Sequence, residues 1–265
     1  MSEPPEHQDE HQDEYHDAMI DLLELIWGQG FLIPAGPENV RRIVAGLELR
    51  DKLVLDIGSG IGGPALILAG EMGARVVGID LEGLLVARAQ AYGEAAGLGR
   101  RVEFRQVTVG PLAFDDESID VVYSSGAFTQ VEDKLGMFEE VFRVLKPGGV
   151  FTCYDWMKGD EPYSEDMRYW FKLEGLTYAM ETLATHGRIL QEAGFTDIEL
   201  EDDQQAYRDL CHREYDEVQG PLKARMIEML GREQQEHFLE NWRAMVVVLD
   251  KGEVRPGFYR ARKPA

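Results

Sequence analysis

Short apolar runs alternate with longer segments of helical periodicity along most of this chain. The apolar and alternating segments that predict strands are 53–57, 75–79, 101–107, 118–123, 150–154, 197–200 and 253–262. The segments with apolar residues at helical spacing are 15–27, 38–49, 65–72, 82–96, 135–145 and 183–193. Strands that alternate with helices are typical of an α/β fold with a parallel, doubly wound sheet, and we expect such a sheet here.

Several segments lie outside this alternation. Residues 1–14 are polar and acidic, which predicts a disordered tail, and the first helix with its loop predicts a lid. Residues 158–178 lie between the fifth strand and its helix, and residues 204–252 lie between the last two strands. Because the ligand crevice of such a sheet lies beyond the carboxyl ends of its strands, we expect both insertions to form a helical cap. The predicted division is a tail and lid over 1–36 and a ligand-binding domain over 37–265.

The most informative motif joins the first strand to the next helix. Its sequence, Asp-Ile-Gly-Ser-Gly-Ile-Gly-Gly over 56–63, places an acid near the strand end and four glycines in the turn. Glycine lets the backbone turn tightly and approach a ligand. The spacing differs from the G-x-G-x-x-G of dinucleotide sites, and Asp56 would repel a pyrophosphate but suits a cationic ligand. Asp80 follows the second strand, where a carboxylate can accept hydrogen bonds from a ribose diol.

These motifs resemble the cofactor site of the class I methyltransferases that use S-adenosylmethionine (SAM), as do residues 114–124, 131–134 and 142–149. The resemblance implies a Rossmann-like, seven-stranded sheet with an antiparallel last strand, and SAM as the cofactor. It implies that the glycine turn holds the methionine part of SAM and that the acid after the second strand holds the ribose. The implied cofactor-binding residues are Leu32, Ile33, Asp56, Gly58, Ser59, Gly60, Gly62, Asp80, Leu81, Thr108, Val109 and Ser125.

Within that class, the chain is similar to the phosphoethanolamine N-methyltransferases and to enzymes that methylate sarcosine and dimethylglycine. The residues that carry this similarity are Tyr15, Trp27, Gly28, the loop over 31–36, and Trp242. Methyl transfer from a sulfonium needs alignment more than a strong base, and aromatic faces stabilise cations. The catalytic candidates are Tyr15, Gln130 and Asp155. The substrate-binding candidates are Gly126, Trp156, Trp170, Glu174 and Met245.

Each of these candidates has an alternative interpretation. Trp170 is as compatible with core packing as with a pocket wall, whereas Tyr15 and Trp156 match pocket positions of the family. Gln130 could orient the nucleophile. Asp155, at the end of the fifth strand, could accept a hydrogen bond from an amine or could serve only as a capping or loop residue.

Four positions depart from the phosphoethanolamine enzymes. After the fourth strand, Gly126 and Gln130 stand where that group usually has Asp and His. In the cap, Glu174 and Met245 align near the Arg and Lys that bind phosphate. A desolvated phosphate beside a carboxylate and without its cations is poorly stabilised, so phosphoethanolamine is disfavoured unless other cations replace them. The candidates for such a replacement are Arg168 and Arg243.

Charge narrows the range of partners. The formal net charge of −22 disfavours nucleic acids and anionic membranes as partners. The two cysteines fit neither a disulfide framework nor a metal spacing, so we expect no metal site and a reducing, cytoplasmic location. The sequence shows no signal peptide and no apolar run long enough to span a bilayer. It leaves the oligomeric state open.

The sequence therefore predicts a SAM-dependent methyltransferase whose partner is a small-molecule acceptor. The favoured acceptor atom is the nitrogen of a small non-phosphorylated amine or amino acid. One alternative is O-, S- or C-methylation of a small natural product. A SAM-binding protein without catalytic activity is the other alternative, and an intact cap and acceptor pocket disfavour it.

Overall fold

The computed structural model describes residues 16–176 and 178–265. The strands are β1 (Leu53–Ile57), β2 (Arg75–Asp80), β3 (Val102–Gln106), β4 (Ile119–Ser125), β5 (Leu145–Asp155), β6 (Thr196–Asp202) and β7 (Gly257–Arg262). They form one seven-stranded sheet in the order β3-β2-β1-β4-β5-β7-β6. Strands β1 to β5 pair in parallel, whereas β7 is antiparallel to β5 and β6. The predicted α/β sheet with an antiparallel last strand is confirmed.

Helices cover both faces of this sheet. They are α1 (Asp17–Trp27), α2 (Gly36–Ile43), α3 (Gly63–Gly70), α4 (Gly83–Ala95), α5 (Lys134–Val144), α6 (Glu165–Glu174), α7 (Leu183–Glu192), α8 (Gln204–Gln219), α9 (Lys223–Leu230) and α10 (Arg232–Asp250). Helices α2, α3 and α4 pack on one face, and α5 and α7 pack on the other. Successive side chains of a strand point to opposite faces, so Val54 packs with the first group and Leu55 with the second. Because strands such as β1 are buried on both faces of the sheet, their sequences are apolar runs.

Three predicted boundaries are wrong by several residues. Helix α2 ends at Ile43, not at position 49. Strand β5 begins at Leu145, five residues early, because the Pro-Gly-Gly segment that reads as a turn forms a bulge. Leu145 pairs with Ile119, the register then shifts, and Val150 pairs with Val121. Strand β7 begins only at Gly257, directly after Pro256, which has no N–H to donate to a ladder.

The inserted segments are largely helical. Residues 158–178 contain α6, and 204–252 contain α8, α9 and α10; α10 packs against the other three. Helix α1 packs on α9, and Leu22 of α1 lies in one apolar cluster with Val218, Met226 and Trp242. The N-terminal helix therefore belongs to the same packed layer as the second insertion. Residues 1–15, including Tyr15, lie outside the described residues.

Across the described residues, no helix combines the length and the apolar character needed to cross a lipid bilayer.

Candidate active site

The glycine-rich turn after β1 hooks over the end of β2. The backbone N–H groups of Gly58 and Ser59 both donate to the carbonyl of Ile79, at 2.9 and 3.0 Å. Gly58 has φ +73°, a left-handed conformation that favours glycine. A Cβ atom on Gly58 would lie 2.4 Å from the Cβ of Ala127. This glycine therefore lets the turn touch the loop that follows β4.

Asp80 ties the turn to the end of β2. Its Oδ2 accepts from the backbone N–H of Gly60 at 2.8 Å, and its Oδ1 accepts from that of Glu82 at 3.0 Å. Burial raises the pKa of the Asp80 carboxyl, and these backbone hydrogen bonds oppose the rise. A carboxylate has about four lone-pair sites, so two remain for the hydroxyl groups of a ribose.

Asp56 is a buried carboxylate with an unsatisfied oxygen. The residue is 1% exposed and its Oδ2 has no hydrogen-bond partner within the described structure. Burial, with the charge of Asp80 as a second cause, raises the pKa of Asp56 to about 8. A carboxyl that burial keeps protonated regains its charge beside a cation, so this position favours a cationic ligand. The positive charge of SAM meets this requirement, so these residues fit the implied cofactor.

Apolar side chains are exposed beside this turn. Leu81 follows β2 and is 50% exposed, and Val109 lies beyond β3 and is 88% exposed. Thr108 beside it is also exposed. Exposed apolar residues after two adjacent strands offer a surface for a flat ring such as adenine. The structure thus places these three predicted cofactor residues near one edge of the sheet.

The segment after α1 lies over the glycine turn. Gly30 accepts a backbone hydrogen bond from Gly63 at 2.9 Å and donates one to Glu24 Oε1 at 2.7 Å, while Tyr92 donates to Glu24 Oε2 at 2.8 Å. The loop so held carries Leu32, with Cδ1 3.5 Å from a Cβ built on Gly60. It also carries Ile33, whose Cγ2 lies 3.5 Å from a Cβ built on Gly126. The structure therefore brings the predicted Leu32 to the glycine turn and the predicted Ile33 to the loop after β4.

Aromatic side chains form a cluster between β5 and α6. Trp156 follows β5, and its ring centroid lies 5.5 Å from that of Trp170 and 6.1 Å from that of Tyr178. The Trp170 and Tyr178 rings are stacked at 5.5 Å with an interplanar angle of 9°. The Nε1 of Trp156 donates to the hydroxyl of Tyr207 at 3.1 Å. The predicted Trp156 and Trp170 are thus adjacent, and sequence reasoning missed Tyr178.

Glu174 lies at the end of α6 beside this cluster. Its Oε2 accepts from the hydroxyl of Tyr178 at 3.1 Å, and its Oε1 accepts from Asn241 Nδ2 at 2.8 Å. Burial raises the pKa of the Glu174 carboxyl. These donors are neutral, as is the indole N–H of Trp170, and the charge of His237 also stabilises the carboxylate. Sequence reasoning also missed Asn241, whose position 67 residues away gave no local signal.

The two arginines proposed as replacement cations lie elsewhere. Arg243 donates twice to Glu240, at 2.7 and 2.8 Å, on the exposed surface of α10. Arg168 is exposed on α6. Met245 is buried, with the Cys211 sulfur 3.6 Å from its own, in the apolar cluster that also holds Trp170. The described residues therefore show no guanidinium bound to Glu174.

The loop after β4 carries the remaining candidates. Ser125 is the last residue of β4, and Gly126 donates its backbone N–H to the carbonyl of Tyr154 at 2.9 Å. Gln130 is exposed at the end of a short 3₁₀ turn. Asp155 is 1% exposed, its Oδ1 accepts from the backbone N–H of Trp156 at 2.8 Å, and burial raises its pKa to about 7. Their catalytic roles stay predictions.

Lys134 is a further site residue that the sequence did not indicate. Its buried Nζ donates to the carbonyls of Phe128, Val131 and Ala179 at 3.0, 2.7 and 2.6 Å. Burial lowers the pKa of Lys134, and the nearby charge of Asp155 opposes this effect. The lysine joins the loop that carries Gln130 to the segment just after Tyr178. In the sequence, a lysine next to an Asp is typical of an exposed surface position. The partners of Lys134 are backbone carbonyls, which no side-chain pattern indicates.

We expect Lys134→Met to lower the free energy of unfolding by about 3 kcal/mol, because it leaves buried carbonyls and Asp155 without their cation. Urea denaturation measures this change. Lys146→Met is the matched control, since Lys146 binds Asp120 at 2.9 Å but is half-exposed. It should cost less than about 1 kcal/mol. Equal losses in both variants would contradict the structural role of Lys134.

Comparisons with known proteins agree with this geometry. A family model described as a methyltransferase domain matches residues 55–153. Phosphoethanolamine N-methyltransferase 1 of Arabidopsis thaliana is 30% identical over 241 residues, which cover 91% of this chain and 48% of that protein. The chain thus spans about half the length of the curated relatives it matches.

Solved structures extend the match to almost the whole chain. Phosphoethanolamine N-methyltransferase 2 of Haemonchus contortus, in complex with phosphomonomethylethanolamine and S-adenosylhomocysteine, superposes with a TM-score of 0.88 at 25% identity. The match covers 96% of this chain and 59% of that one. A putative sarcosine dimethylglycine methyltransferase from Galdieria sulphuraria has the same fold, with a TM-score of 0.81 at 20% identity over 94% and 97% of the two chains. Residues 55–153 of this chain therefore match a methyltransferase domain, and nearly the whole chain has the fold of enzymes solved with S-adenosylmethionine or S-adenosylhomocysteine bound.

Proposed function

We propose that this protein transfers a methyl group from SAM to the nitrogen of a small, non-phosphorylated amine. The observation that carries the proposal is the carboxylate of Glu174 beside the aromatic cluster, with the neutral groups of Tyr178, Asn241 and Trp170 around it. A phosphate group that entered this space would lose its water and meet a carboxylate. An ammonium group would instead meet a carboxylate and aromatic faces, both of which stabilise it.

The relatives named phosphoethanolamine N-methyltransferases support methyl transfer to nitrogen. The residues of this chain do not support an acceptor that carries a phosphate group. The cations that could have replaced a phosphate-binding pair are unsuitable, since Arg243 is neutralised by Glu240 and Arg168 is exposed on α6. Gly126 and Gln130 add no charge after β4. A dianion would thus be bound without strong charge-assisted hydrogen bonds.

The residues of this chain have separate tasks in the proposed reaction. When bound, SAM supplies a methyl group that leaves its electron pair on the sulfur, while the acceptor nitrogen provides the new bonding pair and then releases a proton. Asp56 and Asp80 hold the cofactor, and the loop with Leu32 and Ile33 covers it. Gln130 and Asp155 offer oxygens for the N–H groups of the acceptor. Alignment of the two reactants supplies the rate gain.

The two helical insertions form the cap of the acceptor pocket in this proposal, and the helix and loop over 16–36, within the predicted tail-and-lid segment 1–36, form its lid. Helix α1 supports this assignment, since Arg88 of α4 binds its residues Asp17 and Asp21 at 2.8 and 2.7 Å. The proposed partner is a small molecule rather than a nucleic acid or a membrane, consistent with a net charge of −22. We place the protein in the cytoplasm.

Methylation of matched acceptors tests this function. We expect mass spectrometry to detect S-adenosylhomocysteine and a methylated product with small amines or amino acids. We expect a kcat/KM for phosphoethanolamine at least tenfold lower than for the favoured amine. Contaminating activity is identified with the Asp80→Ala variant at a SAM concentration near the wild-type Kd, where the variant should lose most of its activity. A kcat/KM for phosphoethanolamine of about 10⁴ M⁻¹s⁻¹ or more, in the ordinary range of enzymes, would overturn the proposal.

A further inference from the structure

The acceptor side of the site has two buried groups that carry hydrogen-bond acceptors, Glu174 and Asn241, beside the indole N–H of Trp170. Each oxygen of Glu174 takes one donor, although a carboxylate can accept about four hydrogen bonds. The Oδ1 of Asn241 is buried and has no partner among the described residues. Its amide nitrogen is used by Glu174 at 2.8 Å, which fixes Oδ1 as the free atom. Acceptor groups from two helices therefore meet where the described residues place no Lys or Arg, and where His237 acts on Glu174 through its charge.

This group of acceptors is separated from the reaction site by the Tyr178 side chain. The backbone N–H of Ala179 donates to the carbonyl of Thr129 at 2.8 Å, next to Gln130 in the loop after β4. The hydroxyl at the far end of Tyr178 donates to Glu174 at 3.1 Å. Glu174 thus lies about one tyrosine side chain away from the loop that would hold the reacting nitrogen.

Aromatic rings lie along that length. Trp170 stacks on Tyr178, and Trp156 contacts both rings. These faces suit a short aliphatic chain and also the charge at its end. Burial raises the pKa of Glu174, although Asn241, Tyr178, Trp170 and the charge of His237 all act to lower it. A ligand cation would supply the missing compensation.

We propose that Glu174 and Asn241 Oδ1 form a second subsite that binds a positively charged group at the far end of the acceptor. The acceptor is then a short diamine or a related dication, and carboxylate-bearing acceptors are disfavoured together with phosphate. This inference rests on the proposed amine methylation and narrows it. Glu174 is the specificity-determining residue, since it contacts the end of the acceptor that does not react.

Binding to the full-length protein saturated with S-adenosylhomocysteine tests the subsite without turnover. The probes share a 2-aminoethyl group and differ only at the other end: ethylenediamine, ethanolamine, β-alanine and phosphoethanolamine. We expect calorimetry to show at least tenfold tighter binding of ethylenediamine than of ethanolamine, and weaker binding of the two anionic probes. Putrescine extends the series to a longer spacer. Equal affinity of the wild-type protein for diamine and amino alcohol would overturn the inference.

Variants identify the residue responsible. Glu174→Gln should abolish the preference for ethylenediamine over ethanolamine. Glu240→Gln is the matched control, an acid on α10 that binds Tyr169 and Arg243 near the surface, and it should keep the preference. Asn241→Leu gives a second test if Glu174→Gln does not fold, and it should reduce the preference. An unchanged preference in a folded Glu174→Gln protein would overturn the assignment.

The two proposals fail in different ways. Methylation of amines without any preference for a second ammonium group would reject the subsite and leave amine methylation standing. Efficient phosphoethanolamine turnover, or binding of none of the amine probes, would reject both. Methylation of ethylenediamine with the highest kcat/KM of the series supports both, and the methylated nitrogen is then identified by mass spectrometry.

Discussion

Replacement of Asp80 with alanine should weaken SAM binding by about 10- to 150-fold, equivalent to about 1.5–3 kcal/mol, the scale of hydrogen bonds to charged groups. The variant removes the acceptors available to the ribose hydroxyls. It also removes the hydrogen bonds from Gly60 and Glu82, at 2.8 and 3.0 Å, that hold the glycine turn to the end of β2. Isothermal titration calorimetry with SAM measures the loss directly.

Two controls separate these contributions. Asp80→Asn keeps one side-chain oxygen as an acceptor but removes the charge, so we expect an intermediate loss of affinity. Asp120→Ala removes a carboxylate at the opposite end of the sheet, where Oδ2 accepts from the backbone N–H of Leu53 at 2.8 Å. This control should lower the free energy of unfolding and leave SAM affinity within twofold. Unchanged SAM affinity in a folded Asp80→Ala protein would refute the ribose assignment.

The cofactor side of the site could be predicted because its signals are local. The glycine turn and Asp80 each follow a strand, and parallel strands bring their carboxyl ends to one edge of the sheet. The β5 boundary failed because Pro-Gly-Gly is typical of a turn. In the structure, the same residues form a bulge between two paired positions, Leu145 and Val150. That outcome depends on the register with β4, which the sequence of β5 does not contain.

The acceptor side could be predicted only in part, because its contacts join distant segments. Glu174 was a candidate, but its partner Asn241 lies on another helix. Lys134 was missed because it binds three backbone carbonyls. Every residue has a backbone carbonyl, so the sequence does not indicate which ones bind a lysine. Tyr178 was one aromatic among many until the fold placed it against Trp170. The sequence therefore indicated which chemistry to expect but not how the acceptor pocket is held together.

The glycine turn itself should tolerate almost no side chain at position 58. We expect Gly58→Ala to lower the free energy of unfolding by about 2–4 kcal/mol. Of this, about 1–2 kcal/mol comes from an L-residue in a left-handed conformation. The rest comes from overpacking, because the new Cβ would lie 2.4 Å from that of Ala127. We also expect SAM affinity to fall more than 100-fold as the turn moves away from β4. Chemical denaturation and calorimetry measure the two effects.

Two further variants separate strain from contact. Gly97 has φ +69°, close to the +73° of Gly58, and nothing lies within 4 Å of a Cβ built on it. Gly97→Ala should therefore show the strain alone, about 1–2 kcal/mol, with SAM affinity unchanged. Ala127→Gly removes the clashing methyl group, so the Gly58→Ala/Ala127→Gly double variant should regain at least tenfold in SAM affinity over Gly58→Ala. If the double variant binds SAM no better, close approach to Ala127 does not explain why glycine is needed at position 58.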